Sequence, residues 1–246
     1  MQTSNRLLGY KIFEQSGMIF PDYEVIEGDT RIYKTPGGDY PSMTSVLSVF
    51  KKYDKGLDAW RKRIGEIEAD KITKDASDRG NALHDYAEKY LENELIHSEM
   101  EGAAKVLFNR SRKLYEPIDL VFGTEVALHS NVFKMAGRAD AIVSFNGRGT
   151  ILDHKNSRQA FDIKKQFARR KIFIYMLQCT GYSICFEEEY DMRLDQGVLV
   201  IANYLKGNAE KIVFDIDDNL RNEFAIACDA YYNGTDIRKT SEYFKL

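Results

Sequence analysis

Residues 137–159 read GRADAIVSFNGRGTILDHKNSRQ. Two apolar runs flank Asn146-Gly147, a tight-turn signal, so the stretch predicts paired strands over about 133–145 and 149–155. The second run, Thr150-Ile151-Leu152, ends in Asp153-His154-Lys155, and the first opens with Asp140, thirteen residues before Asp153. Polar groups at the ends of buried strands are costly unless they are paired or used. Residues two apart share a strand face, so Asp153 and Lys155 project together and the His154 side chain points away. A turn-closed hairpin sets Asp140 beside them. Spacing alone leaves two readings open: an Asp–Lys ion pair closing a strand, or two carboxylates and a lysine converging on a site. In the second, carboxylate oxygens suit a hard cation such as Mg²⁺ or Mn²⁺ together with water and substrate phosphate. The lysine could orient or deprotonate a water, or counter phosphate charge.

Outward from this hairpin, residues 119–129 read as a preceding strand, 160–188 as a long helix, and 195–204 as a further strand. A short strand over 209–215 and a helix over 217–233 follow. On the N-terminal side, 22–40 suggests a hairpin around Glu27-Gly28-Asp29, and Ser42 to Ser45 a helix N-cap region leading into VLSVFKKY. Leu57, Trp60, Ile64 and Ile67 recur at helical spacing within about 54–72, a third helix spans 74–95, and Ser98 to Glu101 reads as a capping box for a helix to about Tyr115. The order helix, three strands, helix, strand predicts a mixed α/β sheet with an N-terminal helical segment.

With 246 residues, 43% of them hydrophobic and 30% charged, the chain has the composition of an ordinary soluble globule. No run approaches the roughly eighteen apolar residues of a membrane span, and MQTSNRLLGYKIFEQ lacks a signal-peptide pattern, so a cytoplasmic location is expected. Cys179, Cys185 and Cys228 are too few for a thiolate metal or iron–sulfur centre and are expected to pack as small apolar residues. The net charge of −3 is uninformative, but Lys155, Arg158, Lys164, Lys165, Arg169, Arg170 and Lys171 face one acid, Asp162, across 155–171. A second basic run is Lys51, Lys52, Lys55, Arg61, Lys62 and Arg63. Such runs are solvated helix faces or patches that steer a polyanion.

Asp140 with Asp153-x-Lys155 resembles the signature of the PD-(D/E)XK nuclease superfamily in its RecB-like branch. Arg79-Gly80-Asn81-Ala82-Leu83-His84 followed by Glu88 resembles that branch's RGxxxH…E helix. Glu125 matches its acid on the first core strand, and Gln178-x-x-x-Tyr182 its QxxxY helix. The pattern is similar to that of the mitochondrial genome maintenance exonuclease and related phage exonucleases, over about residues 41–205. Packing accounts for several of these residues equally well. His84 shares a helical stripe with Gly80, Ala87 and Leu91, and Gln178 and Tyr182 extend the surface of Ile174 and Tyr175. Ala139 stands where the superfamily name has proline, and no GxxxxGK[ST] helicase motif occurs.

The resemblance implies a restriction-endonuclease-like αβββαβ core in one nuclease domain over 1–246. Its parts are a hairpin region (1–41), a helical segment carrying the His84 motif (42–116), the core (117–205) and a C-terminal strand and helix (206–246). It implies one or two Mg²⁺ or Mn²⁺ ions held by His84, Asp140, Asp153 and the His154 backbone carbonyl, and no iron–sulfur cluster. Asp140, Asp153, Lys155 and Glu125 would be catalytic, with Glu88 a neighbour of the ligands. Gln178, Tyr182, Arg79, Arg158, Lys164, Lys165 and Arg169 would contact DNA. His97, His129 and the His154 side chain gain no such role. The implied activity is that of a stand-alone exonuclease preferring single-stranded DNA with a free end, in the cytoplasm, or in the host cytoplasm if viral. Tyr53 and Trp60 in the helical segment suit base stacking or packing. A duplex exonuclease, a structure-specific endonuclease and a catalytically silent DNA-binding module are the alternatives.

Overall fold

A computed structural model describes residues 10–53, 55–158, 160–205 and 209–246, Lys55 by its backbone alone. Four short strands come first: β1 (Glu14–Gln15), β2 (Glu24–Ile26), β3 (Ile32–Thr35) and β4 (Gly38–Pro41). Helices α1 (Met43–Val46), α2 (Lys55–Ile64), α3 (Glu66–Leu91) and α4 (Gly102–Ser111) follow. Three long strands, β5 (Ile118–Ser130), β6 (Met135–Phe145) and β7 (Arg148–Ser157), lead into α5 (Gln166–Tyr190). Strands β8 (Gln196–Asn203) and β9 (Glu210–Asp215) and helix α6 (Asp218–Asn233) complete the order.

The main sheet runs β1-β5-β6-β7-β8-β9, and β2-β3-β4 form a separate antiparallel sheet. β1 pairs with β5 and β7 with β8 in parallel; the other neighbours are antiparallel, so the sheet is mixed. Its central strands are covered on both faces, which is why AIV and VLVIA read as unbroken apolar runs rather than alternating ones. Ile142, Ile151, Leu199 and Ile201 face a core shared with α1, α5 and α6. Ala141, Val143, Leu152, Val198 and Val200 face a second core shared with α3 and α4. No helix among the described residues is long and apolar enough to cross a membrane.

The mixed α/β architecture and the order of elements agree with the sequence, while several helix boundaries do not. The expected break near residue 73 is absent; the chain turns at Gly65 instead, where φ is +88°. That conformation is open to glycine and strained for other residues, so α3 runs unbroken from Glu66 to Leu91. Asp54, the expected start of the preceding helix, and residues 1–9 lie outside the described residues. Ser98 to Glu101 forms no capping box: a 3₁₀ turn occupies His97–Glu99, and α4 starts after Glu101 without a side-chain cap. Ser42 does cap α1, its Oγ accepting from the Ser45 N–H at 3.1 Å. Helix α5 begins at Gln166, which leaves Lys164 and Lys165 in the preceding turn.

Candidate metal centre

Strand register places three acids in a row. Thr124 lies opposite Ala141 and Val126 opposite Ala139, which brackets Glu125 against Asp140. The β6–β7 ladder ends at Ala141 opposite Leu152, one step before Asp140 and Asp153. At that opening Asp140 Oδ2 accepts the His154 backbone N–H at 2.6 Å, so a carboxylate takes the place of a cross-strand carbonyl. Glu125 sits at φ +44°. A glutamate in that left-handed region inside a strand is strained, and such strain concentrates at functional positions.

Helix α3 completes the site because it can approach β7 closely. A Cβ on Gly80 would lie 2.7 Å from Asn156 Nδ2, and that amide donates to the Ala76 carbonyl at 3.3 Å. One turn after Gly80, His84 Nδ1 stands 3.5 Å from Asp140 Oδ1. One donor atom each from His84, Glu125 and Asp140 lies within 4.8 Å of the other two. Asp153 is outside this group of three. Its side chain is 1% exposed, Oδ1 receives the Lys155 ammonium at 2.6 Å, and Oδ2 is buried with no protein partner. The Asp–Lys ion pair is therefore present, and the donors that converge are His84, Glu125 and Asp140 rather than Asp140 with Asp153. A buried carboxylate oxygen without a donor is costly. This orphan, beside an imidazole and two carboxylates, is a donor set that fits a divalent cation.

The charges are strongly coupled. Burial pulls the His84 imidazolium down, but the Asp140 carboxylate more than offsets this and raises its pKa to about 9. Burial opposes ionisation of Asp140, yet His84 and Lys155 hold it well below the usual carboxylate range. Asp153 is pushed up to about 6 by burial and by Asp140, against the pull of Lys155. Glu125 is pushed up to about 7 by burial and by its acidic neighbours Asp140 and Glu88. Burial disfavours the Lys155 ammonium, but Asp153 and Asp140 outweigh it and raise the pKa, so the group stays charged. It also lies 5.0 Å from the centre of the Tyr175 ring. The His154 ring is on the opposite side of the strand, neutral because burial lowers its pKa to about 3. There it meets the His84 ring edge-on at 5.6 Å and the Tyr115 hydroxyl at 3.3 Å.

A cleft of about 490 Å³ opens over His84, Glu125 and Asp140, with Glu88, Gln178 and Tyr182 among its walls. The other expected DNA contacts are scattered. Arg79 lies 4.8 Å over the Tyr204 ring. Arg169 gives most of its guanidinium donors to the carbonyls of Leu246, Ile163 and Lys164, which ties the start of α5 to Leu246. Arg158, Lys164 and Lys165 are exposed. Two cleft cations escaped the sequence reading, Arg31 and Arg138. Arg138 stands two residues before Asp140, on the same face of β6, and that spacing could have revealed it. It donates to the Glu125 carbonyl at 3.3 Å and pairs with Asp22. All three cysteines are free and buried in the core.

No known protein family matches the chain, and no curated protein does. Among solved structures it is similar to SSO0001, at 14% identity and a TM-score of 0.43, over 78% of this chain and 75% of that one. It is also similar to a protein of Eubacterium rectale named "Putative exonuclease", at 12% identity and a TM-score of 0.42, over 63% of this chain and 68% of that one. Overlaps this loose transfer neither residues nor chemistry.

Proposed function

We propose that this chain is a metal-dependent deoxyribonuclease built on a restriction-endonuclease-like PD-(D/E)XK core. One observation carries the reading: donor atoms of His84, Glu125 and Asp140 converge within 4.8 Å, next to an Asp153–Lys155 pair whose second carboxylate oxygen has no protein partner. His84, Glu125 and Asp140 would hold Mg²⁺ or Mn²⁺, with Asp153 and the His154 carbonyl as further donors. Such an ion supplies Lewis-acid charge to phosphate oxygens and lowers the pKa of water.

The side chains divide the remaining work. Lys155, whose ammonium meets Asp153 at 2.6 Å, would orient water or counter phosphate charge by donating hydrogen bonds. Glu125, bracketed against Asp140 on the neighbouring strand, would complete the ligand set directly or through a water. The His154 N–H fixes the direction of the Asp140 carboxylate, which is the preorganisation that charge stabilisation requires. Gln178 and Tyr182, in the cleft wall, would place the strand, and Arg138 would meet a phosphate. The sequence resemblance favours exonucleolytic action on single-stranded DNA with a free end.

End-labelled single- and double-stranded oligonucleotides, linear and circular, with Mg²⁺, Mn²⁺ or EDTA, test this. The expected result is degradation of linear single strands with either metal, none in EDTA, and a loss of roughly 10²-fold or more in Lys155→Ala. Wild-type speed in Lys155→Ala would refute the mechanism. Cleavage of closed circles would make the protein an endonuclease, and preference for duplex ends a duplex exonuclease. DNA binding without cleavage in any metal would make it a silent binding module.

A further inference from the structure

A second cavity, of about 550 Å³, lies where the start of α5 meets α2 and the C-terminal turn. Leu57, Phe167 and Ile174 give it an apolar floor, and Lys51, Arg170 and Lys171 are its cations; Asp58 is the one acid among its lining residues. Phe167 is 63% exposed, on a helix whose other large apolar residues are buried or half-buried against the core. Arg170 is held in place, its Nε donating to the Tyr243 carbonyl at 3.1 Å and its guanidinium 5.0 Å over the Tyr243 ring. One ring, that of Tyr175, is shared by the cavity's Lys171 and by Lys155 of the metal centre. Tyr175 has Lys171 Nζ 5.8 Å from its centroid and Lys155 Nζ 5.0 Å from it.

We propose that this groove is a track for single-stranded nucleic acid, with a base stacked on Phe167 and the adjoining phosphates met by Lys171, Arg170 and Lys51. An exposed aromatic among cations matches a strand that presents base faces and phosphates in turn. A protein partner's apolar segment would leave three cations to be desolvated against one acid, Asp58, and a duplex hides its base faces. The proposal rests on the nuclease reading, because the strand in the track would be the one whose phosphate reaches His84, Glu125 and Asp140.

Binding of a 5′-fluorescein oligo-dT, measured by anisotropy in EDTA so that cleavage plays no part, separates the two. Phe167→Ala is expected to weaken binding about tenfold, and Phe167→Trp to retain it. Lys171→Ala should lower the slope of log affinity against log salt by about one. An abasic strand of equal length should bind wild type about as weakly as oligo-dT binds Phe167→Ala. Phe167 is exposed, so Phe167→Ala should melt like wild type; Lys171 is half-buried over the Phe161 and Tyr175 rings, so its variant is read at a temperature where melting shows it folded. Wild-type affinity for oligo-dT in Phe167→Ala overturns the proposal, as does abasic binding as tight as that of oligo-dT. So does tighter binding of a blunt duplex that is indifferent to Phe167. A protein that never cleaves but shows the Phe167 dependence loses the nuclease reading and keeps the track; one that cleaves without that dependence loses only the track.

Discussion

Two histidine–carboxylate pairs sit at different places on the sheet, and they are built to opposite specifications. At the end of β5, His129 Nδ1 lies 3.1 Å from Glu189, and each acceptor nearby is in use. Glu189 Oε1 takes the His129 N–H at 2.6 Å and Oε2 the Tyr23 hydroxyl at 3.1 Å. Glu188 takes the Ser130 hydroxyl at 2.6 Å and the Asn131 N–H at 3.1 Å. At the cleft, His84 stands 3.5 Å from Asp140, Glu125 is strained, and a buried Asp153 oxygen is left over. Satisfied polar groups hold a fold together, and an unsatisfied buried one calls for a function or a ligand. By that measure the first cluster is a clasp joining strand β5, helix α5 and the β2 segment, and the second is the site.

The contrast breaks most decisively by exchanging activity for stability. Asp140→Asn keeps an oxygen for the His154 N–H but removes the charge; nuclease rate should fall roughly 10³-fold with melting within a few degrees of wild type. Glu189→Ala strands the His129 backbone N–H in the interior and leaves the Tyr23 hydroxyl only the His129 ring as a partner. That should cost about 2–3 kcal/mol, a fall in Tm of roughly 5–10 °C for a chain of this size, with the rate at 25 °C within about twofold of wild type. If Glu189→Ala abolished cleavage in a protein that melts normally, the clasp would belong to the site.

The sequence made one of these clusters legible and not the other. Asp140 and Asp153-x-Lys155 stood out because carboxylates interrupt apolar strands, and register then places Glu125, Asp140 and Asp153 side by side. The His129 clasp joins residues from 23 to 189, and no local pattern marks it. Gly65 turns the chain at a place where apolar periodicity continues through Ile64 and Ile67, so spacing alone could not find the break. Ser98 and Glu101 have capping-box spelling, but the His97–Glu99 turn takes that segment, with Tyr10 bonding the His97 ring. That Arg169 spends most of its donors on carbonyls was invisible too, because charge runs do not reveal which cations cap carbonyls. Gly80, merely part of a motif in the sequence, has a physical reason once Asn156 is seen against it.

Metal and pH sharpen the contrast further. Glu125 and Asp153 have folded pKa values of about 7 and about 6, above those of an unfolded chain, so they favour the folded state at low pH and less as pH rises through those values. The His84–Asp140 attraction is fully present below the ordinary imidazole pKa near 6.5 and is lost as pH climbs through about 9. Metal-free protein should therefore lose stability between pH 5.5 and 9. A divalent ion competes with the same protons, so Mn²⁺ should raise Tm by several degrees at pH 8.5 and hardly at pH 5.5. In Asp140→Asn the response to Mn²⁺ should disappear. A larger Mn²⁺ effect at acid pH would contradict the ligand set.

The smallest expected effect lies at the cleft edge, and its sign makes it informative. Arg138 reaches the Glu125 carbonyl and pairs with Asp22, whose side chain is 74% exposed. An ion pair that open contributes little to stability, so a substrate phosphate can displace Asp22 at small cost. Arg138→Ala should raise KM for an oligonucleotide about tenfold, the loss of one charge-assisted contact to phosphate, with a smaller change in kcat. Asp22→Asn should lower KM two- to threefold, since it removes the competitor and leaves the guanidinium free. A pair that merely braces β6 against the β2 segment predicts the same sign for both variants, weaker binding together with a lower Tm. Opposite signs at unchanged Tm would place Arg138 with the unsatisfied group at the cleft rather than with the clasp.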